Sequence, residues 1–135
     1  LEAYDQAVAD FAEAIRRQPS QTEAYRLRGE AHLKLQKPAE ALADFNEAVA
    51  RGVEVSSVYF GRGEANFALK NHDAAVADYS RAIKLRLDDP APWFGRGRAF
   101  AAMNKRRDAI DDFDQAVKLK PDNPDYYVER GYCYG

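Results

Sequence analysis

"GRGEANFALK", residues 61–70, sets two glycines around an arginine, and two different folds compete for it. Glycines let backbone N–H groups crowd an anion, so Gly61, Arg62 and Gly63 have the composition of a phosphate-binding turn. Such a turn follows a strand, and no strand pattern precedes this one. Instead Tyr59, Gly63 and Phe67 stand at i, i+4 and i+8, the spacing of one helical face. The helical period runs through the glycines, although each costs about 0.8–1 kcal/mol relative to alanine inside a helix. Gly63 is therefore expected to serve tertiary contact, by leaving no side chain between two helices.

Moving outward, the stretch recurs. Displaced by 34 residues, the chain falls onto itself: Gly29, Gly63, Gly97 and Gly131 align, each preceded by an arginine (Arg28, Arg62, Arg96, Arg130). An aromatic residue, Tyr25, Tyr59, Trp93 or Tyr127, stands three positions before each arginine. A second set has the same period: Ala7, Ala41, Ala75 and Ala109; Phe11, Phe45, Tyr79 and Phe113; Ala14, Ala48, Ala82 and Ala116. Asp10, Asp44, Asp78 and Asp112 precede the aromatics of that set. Arginine's planar fork suits a carboxylate in a half-buried seam. Each arginine is thus expected to pair with the aspartate of its own hairpin or with that of the preceding unit, the alternative being four solvated arginines.

Each unit predicts two helices, joined by the short polar turns "QKP" (36–38), "KNHD" (70–73) and "NKRR" (104–107). Helices are expected near 4–17, 22–35, 38–51, 56–69, 72–85, 90–103, 106–119 and 124–134. Asp89-Pro90 and Asn123-Pro124 each set a capping side chain before a proline suited to the first helical turn. Gly52 supplies a left-handed helix end. The 34-residue period, the aromatic–Arg–Gly opening, the small–aromatic–small second helix and the closing "KPDNPDYY" (120–127) resemble the tetratricopeptide repeat (TPR) family over the whole chain. The resemblance implies an all-α, right-handed superhelical solenoid of antiparallel helix pairs. One array divides into the second helix of a preceding repeat (1–21), three repeats (22–55, 56–89, 90–123) and a lone first helix (124–135). Val53 and Leu87 depart from the family's inter-repeat proline, and His32 and Asn66 stand where an aromatic is commoner.

In this family the first helices line the concave face, which implies where a partner binds. Arg26 and Glu30 come from the first complete repeat, Phe60, Glu64 and Phe67 from the second, Phe94 and Arg98 from the third, and Tyr132 from the last helix. Phe60 and Phe94 offer apolar anchors, unless they pack on neighbouring helices, with Glu30 and Glu64 to one side and Arg98 to the other. A peptide with one or two hydrophobic anchors and a basic residue suits such a groove. Gly61 and Gly95, beside the anchors, are expected to leave room for a ligand. Two specialisations of the family fail. The clamp for a chaperone's C-terminal carboxylate needs Lys, Asn, Asn, Lys and Arg, where this chain has Arg26, Glu30, Gly61, Ala91 and Gly95. The asparagine ladder of sugar-transferring relatives meets Leu27, Gly61, Gly95 and Glu129.

Composition narrows the function further. The net charge of −2 over 135 residues carries no basic excess for nucleic acid, and the basic turn 105–107 is short. No apolar run approaches the ~18 residues of a membrane span. His32, expected inside a hairpin, and His72, expected in an exposed turn, show no metal-ligand spacing with Cys133. "DDFD" (111–114) is expected on a solvated face. No nucleophile stands with a base, so neither catalysis nor a cofactor is expected. The expected function is a non-enzymatic scaffold that binds a peptide segment of a partner protein, with a regulatory or substrate-recruiting arm of a larger enzyme as the alternative. The last helix lacks a following helix over Tyr127 and Tyr134, as a piece cut from a longer array would. Head-to-tail packing of the last helix on the first helix of a second molecule is also expected.

Overall fold

The computed structural model describes residues 1–135 as eight helices and no strand. They are α1 (Glu2–Arg17), α2 (Thr22–Lys34), α3 (Pro38–Ala50), α4 (Ser56–Ala68), α5 (His72–Leu85), α6 (Pro90–Ala102), α7 (Arg106–Leu119) and α8 (Pro124–Tyr134). Each packs on the next, giving the expected all-α solenoid. The first helices α2, α4, α6 and α8 also touch one another in succession, whereas α1, α3, α5 and α7 do not. Closer approach on one side bends the stack toward that side, so the first helices form its inner, concave face.

The turns follow local rules. Asp89 and Asn123 accept from the N–H groups of Ala91 and Asp125, both at 3.0 Å, as expected of the two caps. Gly52 takes a φ of 86°, and the N–H of Val53 then reaches back to the carbonyl of Ala48 at 3.0 Å. The hairpin turns repeat that device without glycine: Gln36, Lys70 and Asn104 have φ of 57°, 64° and 61°. The next residues, Lys37, Asn71 and Lys105, each donate to a carbonyl five positions back at 2.8 Å. Of the three only asparagine tolerates this conformation readily, so the polar turn was legible in the sequence and its left-handed residue was not.

The core is a row of rings between small residues. Phe45 and Phe113 are fully buried and Tyr79 is nearly so, with Ala41, Ala48, Ala75, Ala82, Ala109 and Ala116 packed out of solvent beside them. A β-carbon added at Gly63 would stand 2.9 Å from the Tyr79 ring, and one at Gly97 only 2.6 Å from Phe113. The helix glycines thus make room for the aromatic of the same hairpin. Gly61 and Gly95 do the same across the joint between repeats, where an added β-carbon would meet Phe45 at 2.4 Å and Tyr79 at 2.6 Å. The missing side chains thus leave room for a ring of the preceding repeat and not for a ligand, which corrects the expectation, although Gly61 also borders an open cavity. Phe45 and Tyr79 are each held between two glycines, one from each side of a repeat boundary.

The arginine column settles into its own hairpins. Arg28, Arg62 and Arg96 fork onto Asp44, Asp78 and Asp112 at 2.7, 2.8 and 2.7 Å. Asp112 is therefore buried, not on the solvated face expected of "DDFD", while Asp111 and Asp114 are exposed. Burial pushes the Asp112 carboxyl up against the opposing pull of Arg96, so the pair is costly to place and costlier to break. The remaining nitrogens of Arg62 and Arg96 reach Asn46 (3.2 Å) and Ser80 (3.0 Å) on the preceding second helix, tying repeat to repeat. Arg130 keeps only a backward ion pair, to Asp114 at 2.9 Å, and not the pairing with Asp112 expected of it. His32 and Asn66 replace the family's aromatic for a local reason. Asn66 donates to Asp78 at 2.9 Å, and the His32 Nε2 lies 3.5 Å from Asp44. His72 opens α5 half-buried, its ring 5.5 Å from that of Phe67, and is not the exposed turn residue expected.

Candidate functional site

Two columns four residues apart face the same way along the first helices. One reads Arg26, Phe60, Phe94 and Val128; the other reads Glu30, Glu64, Arg98 and Tyr132. Across successive helices the concave face therefore presents two carboxylates, then a guanidinium, then a phenol. The helices hold these side chains at fixed intervals because the glycine–ring contacts beneath them lock one repeat onto the next.

The α2–α4 half is an open cavity of about 660 Å³. Glu30 and Lys34 of α2 and Phe60, Gly61 and Glu64 of α4 wall it, together with Ser57 and Leu33, which the sequence did not single out. Arg26 is occupied: it bonds Glu23, donates to Glu30 at 2.9 Å and reaches the Ser57 hydroxyl at 3.4 Å. The Phe60 ring leans on Tyr79 with centroids 5.9 Å apart, so it packs on a second helix while still lining the cavity. The Tyr79 hydroxyl donates to Glu64. Burial, reinforced by the Glu64 charge, holds the Tyr79 phenol far above its ordinary range, so it stays a neutral donor. Tyr79 is the neighbour of Phe60 and Glu64 that the sequence did not single out for this site. Its signal was there, as the one tyrosine in the column of Phe11, Phe45 and Phe113.

The α4–α6 half is a stack. The Arg98 guanidinium lies over Phe67, 4.7 Å from the ring centroid, and 5.8 Å from that of Phe94. Phe94 in turn contacts Phe113 (5.6 Å) and Tyr126 of α8 (4.8 Å). Phe94 is thus a joint residue as well as part of the face. Tyr132 stands outside both halves and is 74% exposed. The arrangement suits recognition. The cavity sets Glu30, already paired with Arg26, and Glu64 beside an aromatic wall, with Lys34 also on its lining, a setting suited to a cation; a guanidinium stacked on rings suits an anion.

Comparison with known proteins fits this geometry. The family description "Tetratricopeptide repeat" matches residues 1–52 and 31–92, and a further TPR repeat description matches residues 97–135. No curated protein matches the sequence. Among solved structures, MamA superposes with a TM-score of 0.92 at 21% identity, over 97% of this chain and 77% of MamA. YrrB, described as a TPR protein with an unusual peptide-binding site, gives 0.86 at 22% identity over 98% and 69% of the two chains. The second TPR domain of human RPAP3, solved with the HSP70 peptide SGPTIEEVD, gives 0.78 at 22% identity over 82% and 92%. At these identities the likeness is one of fold. No helix of the chain is long and apolar enough to cross a membrane. With repeat models matching across its length and the helix-pair solenoid in place, the chain belongs to the tetratricopeptide repeat family.

Proposed function

We propose that the chain is a non-enzymatic interaction scaffold whose concave face binds a peptide segment of a partner protein. The observation that carries the reading is the cavity between α2 and α4, where Glu30 and Glu64 flank the half-buried Phe60 ring. A basic side chain entering there would meet two carboxylates and an aromatic face, and an apolar neighbour would rest on Phe60 or Phe94. TPR repeats are typically non-catalytic interaction modules, and the RPAP3 domain with its HSP70 peptide supports the same general mode here. The mixed charge of the face speaks for a peptide over a polyanion, since Glu30 and Glu64 would repel phosphates. Capture of partners from a cell extract by the intact chain and by the Phe60→Ala/Phe94→Ala variant tests the reading. Binders lost by a variant of unchanged helicity support it. Binders retained in full overturn it.

For the 135-residue chain by itself, a second copy is a further proposed partner. Helix α1 carries Ala7, Asp10, Phe11 and Ala14, the residue columns that α3, α5 and α7 turn toward their first helices. Asp10 has no arginine partner, Arg130 lacks the aspartate fork of its equivalents, and the space beside Gly131 is open. Light scattering should show concentration-dependent association, abolished by Asp10→Arg and restored when that variant is mixed with Arg130→Asp. A monomer at every concentration defeats this second reading and leaves the first untouched.

A further inference from the structure

Six arginines are half-buried: Arg26, Arg28, Arg62, Arg96, Arg98 and Arg130. Five of them have a carboxylate within ion-pair distance, namely Glu30, Asp44, Asp78, Asp112 and Asp114 in that order. Arg98 alone has none, and it donates no hydrogen bond within the chain. Its guanidinium is nevertheless well placed, lying over Phe67 at 4.7 Å and near Phe94 at 5.8 Å. Stacked rings hold the plane of a guanidinium and leave its N–H edge, with five donors, to something else. Glu64, the equivalent residue one repeat earlier, forms no ion pair with it; one oxygen of that carboxylate accepts the Tyr79 hydroxyl, and the carboxylate keeps its charge for the cavity. A half-buried guanidinium with no ion pair leaves its donors unfilled, and a carboxylate arriving from outside would fill them through paired, charge-assisted bonds.

We propose that Arg98 is the receptor for an acidic side chain of the bound peptide, about three residues from the basic residue that enters between Glu30 and Glu64. The inference rests on the peptide-groove reading above. The spacing follows from geometry: packed helices lie about 8–10 Å apart. An extended chain advances about 3.3 Å per residue, so one helix-to-helix step takes about three residues. The segment read is therefore bipolar, with its positive end over α2 and α4 and its negative end over α6. The acid belongs inside the segment and is not a chain terminus, because the same face continues past Arg98 to Val128 and Tyr132 on α8. Nor does the site repeat the C-terminal carboxylate clamp, whose positions in this chain hold Arg26, Glu30, Gly61, Ala91 and Gly95.

A displayed library of random twelve-residue segments, panned against the full chain and against Arg98→Glu, tests the inference. The wild-type chain should enrich segments with a Lys or Arg and an Asp or Glu two to four residues apart. Arg98→Glu should exchange that acid for a base. A capped synthetic copy of an enriched segment then closes the cycle. Changing its acid to the amide should weaken binding to the wild-type chain about tenfold or more, but binding to Arg98→Gln less than about twofold. Enriched segments without the acid overturn the role of Arg98 while leaving the groove in place, and so does an acid whose loss costs both chains equally. Enrichment no better than on an unrelated helical protein overturns the groove reading and this inference together.

Discussion

Gly63 and Gly131 occupy the same position two repeats apart, and their surroundings differ completely. A β-carbon at Gly63 would press on the Tyr79 ring at 2.9 Å, whereas at Gly131 nothing lies within 4 Å. The same contrast runs through the neighbouring column. Arg62 forks onto an aspartate whose side chain is 7% exposed, while Arg130 touches one whose side chain is 50% exposed. Tyr59 is buried, and its equivalent Tyr127 is 41% exposed. Identical residues thus carry different energies, because a repeat's column acquires its contacts only when a second helix packs against it. Glycine in α4 answers a ring; in α8 its helix cost stands without compensation from this chain.

Substitution of the two glycines should show the largest difference. Gly63→Leu overpacks the hairpin and should lower stability by about 3 kcal/mol, at the upper end of such insertions. Gly131→Leu should be neutral or slightly stabilising in chemical denaturation, since leucine has the better helix propensity. Equal effects at the two sites would mean that the Tyr79 ring does not fix the α4–α5 distance. The ion pairs should separate next. Asp78→Asn leaves Arg62 facing a neutral amide and should cost about 1.5–3 kcal/mol. Asp114→Asn, at an exposed pair, should cost at most about 0.5 kcal/mol. An unchanged midpoint for Asp78→Asn would break the view that the arginine column is structural.

The smallest expected effect concerns pH. Burial, only partly offset by Asp44, lowers the pKa of His32, so the folded chain holds it neutral where the unfolded chain protonates it. The unfolded state then binds more protons over that interval. Stability is complete above the unfolded value of about 6.5 and falls as the pH drops toward the folded one. His32→Asn, which copies Asn66 of the next repeat, should flatten the melting temperature between pH 7 and pH 5. A profile identical to wild type would show that His32 does not contribute.

Much of this was legible beforehand. The bounds of α2–α8 lie within about one residue of those expected, because caps, prolines and polar turns act locally. The arginine–aspartate chemistry was also legible, but two aspartates were candidates for each of Arg28, Arg62 and Arg96. Only the packed hairpin brings Asp78 to Arg62, and only the joint brings Asn46 to its third nitrogen. The column of Ala24, Val58, Pro92 and Tyr126 is buried throughout, yet it escaped notice because its residue types vary.

The sequence by itself determined the repeat, the all-α solenoid and the residues that share each face, since a 34-residue period and helical spacing are properties of a single chain. The tertiary structure decided what Gly61 and Gly95 are for, that Tyr79 reaches Glu64, and that Arg98 is the half-buried arginine without a carboxylate. Those facts depend on distances between helices. Such distances are set by rings and small residues meeting across a joint, and a periodic sequence records the residues but not the gap they close.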